Sequence, residues 1–268
     1  MKKKLFSKNT KSPIIVSSGP FTDDLTTINK LFEYGIETIT TKTITYSEKR
    51  YLNKIFLDKN YVFNKSGFSN KSVDEWLSII KVLKNKNVIV SIFDEDPIGI
   101  SKLAKLFQIN GAQVIELCLS CPTFGKDPIC FDIKKMKEIC IEVKKNIYIP
   151  VYVKLLTTPS IQFNRRMVQC IIDCGIDGIT ISDTIPALLL DKNKKYMFDG
   201  AGGISGLFLK PMVLKFLDDI KDLDINIIAT GGVENMNDVI EYLSMGVDYV
   251  GICSTLLKNK LDVISKFV

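Results

Sequence analysis

Residues 225–254 read INIIATGGVENMNDVIEYLSMGVDYVGICS. Two apolar, β-branched runs, 225–230 (INIIAT) and 247–252 (VDYVGI), enclose a stretch of helical character at about 234–245. Glu234 to Asp238 place acids at the N-terminus of that helix, where its dipole favours them. Gly246 stands where a helix ends just before a strand. Both runs are apolar throughout rather than alternating, the pattern of parallel strands buried on both faces. The stretch is one strand–helix–strand unit of a parallel sheet.

The same unit recurs along the chain. Further candidate strands are 13–17 (PIIVS), 36–41 (IETITT), 87–92 (NVIVSI), 112–117 (AQVIEL), 149–154 (IPVYVK) and 177–182 (DGITIS). Helical patterns fall between them at about 22–33, 72–83, 97–109, 132–145, 161–174 and 207–220. Asp132 and Ser160 are candidate N-caps, and Gly35 and Gly175 repeat the role of Gly246. Eight such repeats predict an α/β fold, a closed (β/α)8 TIM barrel formed by 1–268 as a single domain. The competing architecture is an open doubly wound sheet. The length suits a barrel, and no GxGxxG follows the first strand. Two connections, 42–71 after strand two and 183–206 after strand six, are inserts too long for plain turns.

Composition narrows the chemistry. The 268 residues include no His, which removes Ser-His-Asp hydrolysis, HExxH zinc peptidases and His-based proton transfer. Proton transfer falls to Cys, Lys, Tyr, Asp or Glu. The net charge of +6 is spread along the chain and carries only three Arg, so a nucleic-acid face is not indicated. No apolar run reaches the ~18 residues of a membrane span. The charged start, Met1-Lys2-Lys3-Lys4, lacks the apolar segment of a signal peptide. Seven Cys outside any small secreted framework indicate reduced thiols and a cytoplasmic protein.

In a barrel the active site forms where the strands end. Those ends carry Ser17-Ser18-Gly19-Pro20, Thr41-Lys42-Thr43, Glu116-Leu117-Cys118-Leu119-Ser120-Cys121-Pro122, Lys154, Ser182-Asp183-Thr184, Thr230-Gly231-Gly232 and Gly251-Ile252-Cys253-Ser254. Gly231-Gly232 and Cys253-Ser254 follow strands seven and eight, where barrels bind phosphate, and glycine lets backbone N–H groups approach the oxygens. Gly202-Gly203-Ile204-Ser205-Gly206 offers a third wall. Lys42 and Lys154, both directly after apolar strands, suit an anionic ligand or a reduced cofactor. Cys118 and Cys121 form a CxxC, open to a redox disulfide or half a zinc site. Without a second CxxC or any His, no metal site is expected. Cys170 and Cys174, one helical turn apart on an apolar stripe, read as core.

At these motifs the sequence resembles the dihydroorotate dehydrogenase family, in its cysteine-using class 1, together with the related pyrimidine-reducing domain of dihydropyrimidine dehydrogenase. The most specific pieces are Leu119-Ser120-Cys121-Pro122, Gly203-Ile204-Ser205-Gly206 with Leu209-Lys210-Pro211, and Thr230-Gly231-Gly232; Thr41-Lys42-Thr43 and Val153-Lys154-Leu155 support them. The resemblance implies FMN on the C-terminal face of the barrel. Ser18, Gly19, Lys42 and Thr43 would lie on the ring side, Lys154 at the ring and ribityl region, and Gly203, Gly231, Gly232, Cys253 and Ser254 around the phosphate. It implies hydride transfer between a small cyclic substrate and the flavin N5, with Cys121 as the acid/base. A thiol base needs a pKa near the working pH, and neighbouring Lys residues act to lower it.

The pocket that the resemblance implies is partly rewritten. The family grips a pyrimidine with Asn side chains, and Asn64 matches one. Cys118, Thr123 and Asp183 stand where Asn is expected, with Thr184 following. A carboxylate accepts only, where an amide also donates. Two enzyme readings follow: dihydroorotate as substrate, or another pyrimidine, cyclic amide or unsaturated small molecule. A non-catalytic flavin-binding protein is a third. The resemblance further implies a homodimer, an electron acceptor such as fumarate or a partner subunit carrying FAD and an iron–sulfur cluster, and more helix than the segment ending at Val268 supplies.

Overall fold

The computed structural model describes residues 5–6, 10–47, 54–121 and 127–268. Eight parallel strands close into a barrel: β1 (Ile14–Val16), β2 (Thr38–Thr40), β5 (Asn87–Ile92), β6 (Val114–Cys118), β7 (Val151–Leu155), β8 (Gly178–Ile181), β11 (Asn226–Thr230) and β12 (Tyr249–Ile252). Each is paired with its sequential barrel neighbour, and β12 returns to β1 through Ile14↔Val250. Helices α1 (Leu25–Glu33), α2 (Val73–Val82), α3 (Pro97–Ile109), α4 (Ile133–Asn146), α5 (Ile161–Asp173), α6 (Leu209–Asp219), α7 (Met236–Ser244) and α8 (Ser254–Asn259) lie between and after the strands. The closed barrel settles the choice against an open doubly wound sheet.

The helix ends follow the local chemistry. Asp132 Oδ1 accepts the Lys135 N–H at 3.0 Å and Ser160 Oγ the Phe163 N–H at 3.2 Å, so both candidate caps hold. Asn235 caps α7, and Asp238 in its first turn reaches back to the Asn235 N–H at 3.0 Å. Gly35, Gly175 and Gly246 adopt φ of 95°, 71° and 83° after their helices, the left-handed geometry a side chain resists.

Strand alternation divides the barrel interior into layers. At the bottom, Ile15, Ile89, Val114, Tyr152 and Ile228 pack together under Leu5 and Phe6. The Tyr152 ring fills the space a Cβ on Gly178 would need, 2.2 Å away. Two residues further along the strands the inward side chains turn polar. Ser17 Oγ meets Thr230 Oγ1 at 3.3 Å, and Glu116 Oε2 accepts from Thr180 Oγ1 at 2.8 Å. Lys154 joins this layer from β7. The outward faces of the strands pack against the helices in one continuous apolar core.

Both long connections fold, and they fold onto each other. β3 (Lys54–Leu57) and β4 (Tyr61–Lys65) from the first insert pair with β9 (Ile185–Ala187) and β10 (Gly202–Gly206) from the second, in the order β3-β4-β10-β9. The sheet is antiparallel, with Asn64 opposite Gly203 and Ile204 opposite Ile185. These four strands were not predicted from the sequence. They wall one side of the barrel mouth.

Candidate active site

A cleft of about 740 Å³ opens between the strand ends and the small sheet. The barrel contributes Ser18, Gly19, Lys42, Thr43, Cys118, Cys121, Lys154, Asp183, Thr184 and Cys253, and the inserts contribute Ile55, Val62, Asn64, Phe68 and Ser205. A second lobe of about 470 Å³ shares Ser18, Lys154, Asp183, Thr184, Ser205 and Cys253, and adds Gly231, Gly232 and Ser254. The polar residues anticipated at the strand ends therefore meet in one place. Thr123 lies outside the described residues.

Two ammonium groups dominate the floor. Lys42 and Lys154 are only 8% and 4% exposed, and neither Nζ has a hydrogen-bond acceptor among the described residues. Lys154 Nζ lies 3.9 Å from Glu116 Oε1, a buried oxygen that itself accepts no hydrogen bond. Burial acts to lower the Lys154 pKa, but the Asp183 and Glu116 carboxylates raise it further, so the group is charged at neutral pH. Both lysines line the cleft, and their positive charge favours an anionic or lone-pair-rich group in it.

The thiol side is different. Burial pushes the Cys121 thiol well above its ordinary range, and Cys118 and Asp183 push the same way. Lys154 and Lys42 pull it down without compensating. The lysine effect expected from the sequence is present, but burial outweighs it, and the resting group is the neutral thiol. Cys118 beneath it is fully buried and pushed up to about 12 by burial and Asp183. Phe68 and Phe93 stack at 4.3 Å against these two thiols.

Asp183 is held as an acceptor. Its Oδ2 takes the Ser120 hydroxyl at 2.7 Å and its Oδ1 the Thr184 N–H at 2.7 Å, with Cys118 Sγ 3.9 Å from Oδ2. Asn64 projects from β4 and donates to the Gly203 carbonyl at 3.4 Å. On the other side, Ser18 Oγ, Thr43 Oγ1 and Ser91 Oγ form a chain with spacings of 3.4 and 3.1 Å.

The second lobe is built around backbone. Gly231 and Gly232 have φ of 113° and 70°, and a Cβ on Gly232 would meet the Leu207 carbonyl at 2.9 Å. Tyr242 Oη donates to the Gly231 carbonyl at 2.7 Å and fixes the turn from α7. At Gly19 a Cβ would meet Cys253 Sγ at 2.7 Å, so the backbone comes close there too. Gly203 sits beside Thr184 and Asn64 and does not itself line this lobe, whereas Thr184 and Ser205 do. Glu116 and Phe68 lie beside the candidate site residues without having been assigned a role of their own from the sequence, while Ser205 lines the cleft as part of the anticipated third wall. Ile55 and Val62 carried no local signal of a place in the site, because the pairing of two distant inserts brings them to the cleft.

Fold and cleft together define a (β/α)8 barrel enzyme whose mouth presents a thiol, two buried cations and a glycine cradle. The family profile described as dihydroorotate dehydrogenase matches residues 1–268. The chain belongs to the dihydroorotate dehydrogenase family, oxidoreductases acting on CH–CH bonds. A relative named dihydroorotate dehydrogenase B (NAD(+)), catalytic subunit, from Methanocaldococcus jannaschii is 28% identical over 275 aligned positions, covering 96% of this chain and 87% of that protein. The protein of the same name from Endomicrobium trichonymphae is 27% identical, with coverages of 95% and 86%. Among solved structures, the Eimeria tenella enzyme in complex with ferulenol superposes with a TM-score of 0.80 at 17% identity, over 95% of this chain and 79% of that one, and shares the fold. Among the described residues no helix is long and apolar enough to cross a membrane, and no group of three or more His, Cys, Asp or Glu is disposed to hold a metal ion.

Proposed function

We propose that the protein is an FMN enzyme that interconverts dihydroorotate and orotate, with Cys121 moving the proton. The observation that carries this reading is the pair of buried ammonium groups, Lys42 and Lys154, that face the same cleft as Cys121 and lack hydrogen-bond acceptors among the described residues. The cleft fits the cofactor on its donor set: cations at the floor, backbone turns at Gly231 and Gly232, and the Ser254 hydroxyl beside them. Bound FMN would supply a two-electron hydride acceptor, which no side chain of the protein can be.

The protein's own residues do the rest. Lys154, kept charged by Asp183 and Glu116, favours negative charge in whatever lies over it. Lys42 adds the second cation. Gly231, Gly232, Cys253 and Ser254 hold the phosphate, and Ser18, Gly19 and Thr43 the ring side. Asn64 and Thr184 bind the substrate ring. The neutral Cys121 thiol is ready to donate a proton in the reducing direction and must first ionise to accept one in the oxidising direction. The names of the relatives, catalytic subunits of an NAD(+)-linked enzyme, support an electron-transfer partner subunit for this chain.

A second reading rests on Asp183. Two of its acceptor sites are taken by Ser120 and Thr184, and it has no donor to offer. That favours a ring presenting an N–H or amino group in place of a carbonyl. One experiment separates the readings. Purified protein should show a flavin absorption spectrum, and dihydroorotate should bleach it anaerobically. A flavin that cyclic amides bleach and saturating dihydroorotate does not would move the assignment to the second reading. A colourless protein that takes up no FMN would overturn both.

A further inference from the structure

Lys210 stands in the first turn of α6, within Leu209-Lys210-Pro211, and lines neither lobe of the cleft. Its Nζ instead donates to Asp238 Oδ1 and to Glu241 Oε2 on α7, both at 2.7 Å. Asp238 is a junction. While Oδ1 takes the Lys210 ammonium, Oδ2 accepts the N–H groups of Glu234 and Asn235 at 2.8 and 3.0 Å, just past the turn that Gly231 and Gly232 begin. Four residues further on, Tyr242 holds the start of that turn through the Gly231 carbonyl. Asp238, Glu241 and Tyr242 fall at i, i+3 and i+4, so one face of α7 carries all three. Burial acts to raise the Asp238 pKa, but Lys210 and the two N–H groups bring it below the usual carboxylate range, and the pair is ionic.

The two walls joined in this way come from separate parts of the chain. The β10–α6 connection and the β11–α7 turn meet almost backbone to backbone: a Cβ on Gly232 would lie 2.9 Å from the Leu207 carbonyl and 3.0 Å from the Lys210 backbone nitrogen. Glycine leaves no side chain there to interlock them. From this arrangement we propose that Lys210 and Asp238 are positioning residues for the phosphate lobe: their ion pair locks the β10–α6 connection to the β11–α7 turn and holds the glycine turn in its receiving shape before the anion arrives. The inference rests on the reading of this lobe as the phosphate site. Backbone donors bind an anion well only where the loops that bear them are already in place, because ordering them on binding subtracts from the affinity. Leu209, Gly231 and Gly232 line the second lobe and not the larger cleft, so a loosened clamp is felt by the phosphate and not by the flavin ring.

Riboflavin is FMN without its phosphate, and it separates the two effects. The affinities of the full-length protein, stripped of flavin, for FMN and for riboflavin are read from the quenching of flavin fluorescence. Lys210→Met keeps the length of the side chain and removes its charge. It should narrow the preference for FMN over riboflavin about tenfold, with riboflavin affinity within about twofold of wild type. Lys144→Met is the matched control. Lys144 and Asp177 pair at 2.8 Å with exposures of 18% and 4%, against 2.7 Å, 20% and 7% for Lys210 and Asp238, and Asp177 stands before β8, at the end of the barrel away from the cleft. This control should leave the preference unchanged.

Tyr242→Phe removes only the hydroxyl that holds the Gly231 carbonyl, and it should narrow the preference in the same direction. It decides the matter where Lys210→Met folds poorly. An unchanged preference in these two variants, equal weakening of both flavins in Lys210→Met, or the same narrowing in Lys144→Met would each overturn the proposal. A wild-type protein that binds both flavins equally would overturn the phosphate assignment and the clamp with it. One that binds neither would overturn the cofactor reading as well.

Discussion

Lys154 Nζ stands 3.9 Å from Glu116 Oε1, with both side chains sealed inside the barrel mouth at 5% and 1% exposure. Neither group is paid back by a direct hydrogen bond between them, yet neither can be removed alone without leaving a buried charge. Glu116→Gln or Lys154→Met should each lower unfolding stability by about 3 kcal/mol, the low end for breaking a buried pair. The double variant should recover part of that loss. Urea unfolding of the four proteins closes the cycle, and strictly additive losses would show that the two charges do not interact.

Cys121→Ala should retain the flavin spectrum and lose about 10²–10⁴-fold in the rate of flavin reduction by substrate, the usual worth of a positioned acid/base. The pH dependence follows from the raised thiol pKa. Below that pKa the thiolate fraction grows tenfold per pH unit, so substrate oxidation should accelerate from neutrality to beyond pH 9, the ordinary thiol value. Reduction of the product, which uses the thiol, should be flat over the same range. Stopped-flow rates in both directions measure this. A plateau of the oxidation rate near neutrality would mean that Cys121 is not the base.

Asp183→Asn tests the rewritten pocket. Asp183 is among the groups that push Cys121 up, so removing its charge should move the pH–rate profile toward lower pH. The new amide also adds a donor, and KM for dihydroorotate should fall by about tenfold, the worth of one added hydrogen bond of about 1.4 kcal/mol. An unchanged KM with a shifted profile would leave Asp183 an electrostatic role only.

The barrel was legible because each of its units is local. A run such as Ile225 to Thr230, a helix with its acids forward and a closing Gly246 announce themselves within thirty residues. The cleft residues were legible for the same reason, since strand C-terminal ends in a barrel must converge. The small sheet was not. Its strands are three to five residues long, β10 is mostly glycine, and its key pair, Asn64 with Gly203, joins positions 139 apart. The second insert alone hardly favours a strand over a loop; the first carries β-formers in Ile55-Phe56 and Tyr61-Val62-Phe63, but nothing local says that they join residues about 140 positions away. The height of the Cys121 thiol pKa was also hidden, because the nearby lysines are visible in the sequence and the burial that outweighs them is not.

Two glycines of similar backbone conformation separate the cradle from an ordinary helix stop. Gly246 has φ of 83° and nothing within 4 Å of an added Cβ, so Gly246→Ala should cost only the left-handed strain of about 1 kcal/mol. Gly232 has φ of 70°, and an added Cβ would lie 2.9 Å from both Leu207 O and Lys210 Cβ. Backbone cannot yield as a flexible side chain does, so Gly232→Ala must displace the connection between β10 and α6. That connection borders the lobe assigned to the phosphate, and Leu209 at its end lines it. Gly232→Ala should therefore weaken FMN binding at least tenfold, read by fluorescence titration of the apoprotein, while Gly246→Ala leaves the affinity unchanged. Equal affinities in the two variants would remove Gly232 from the cradle.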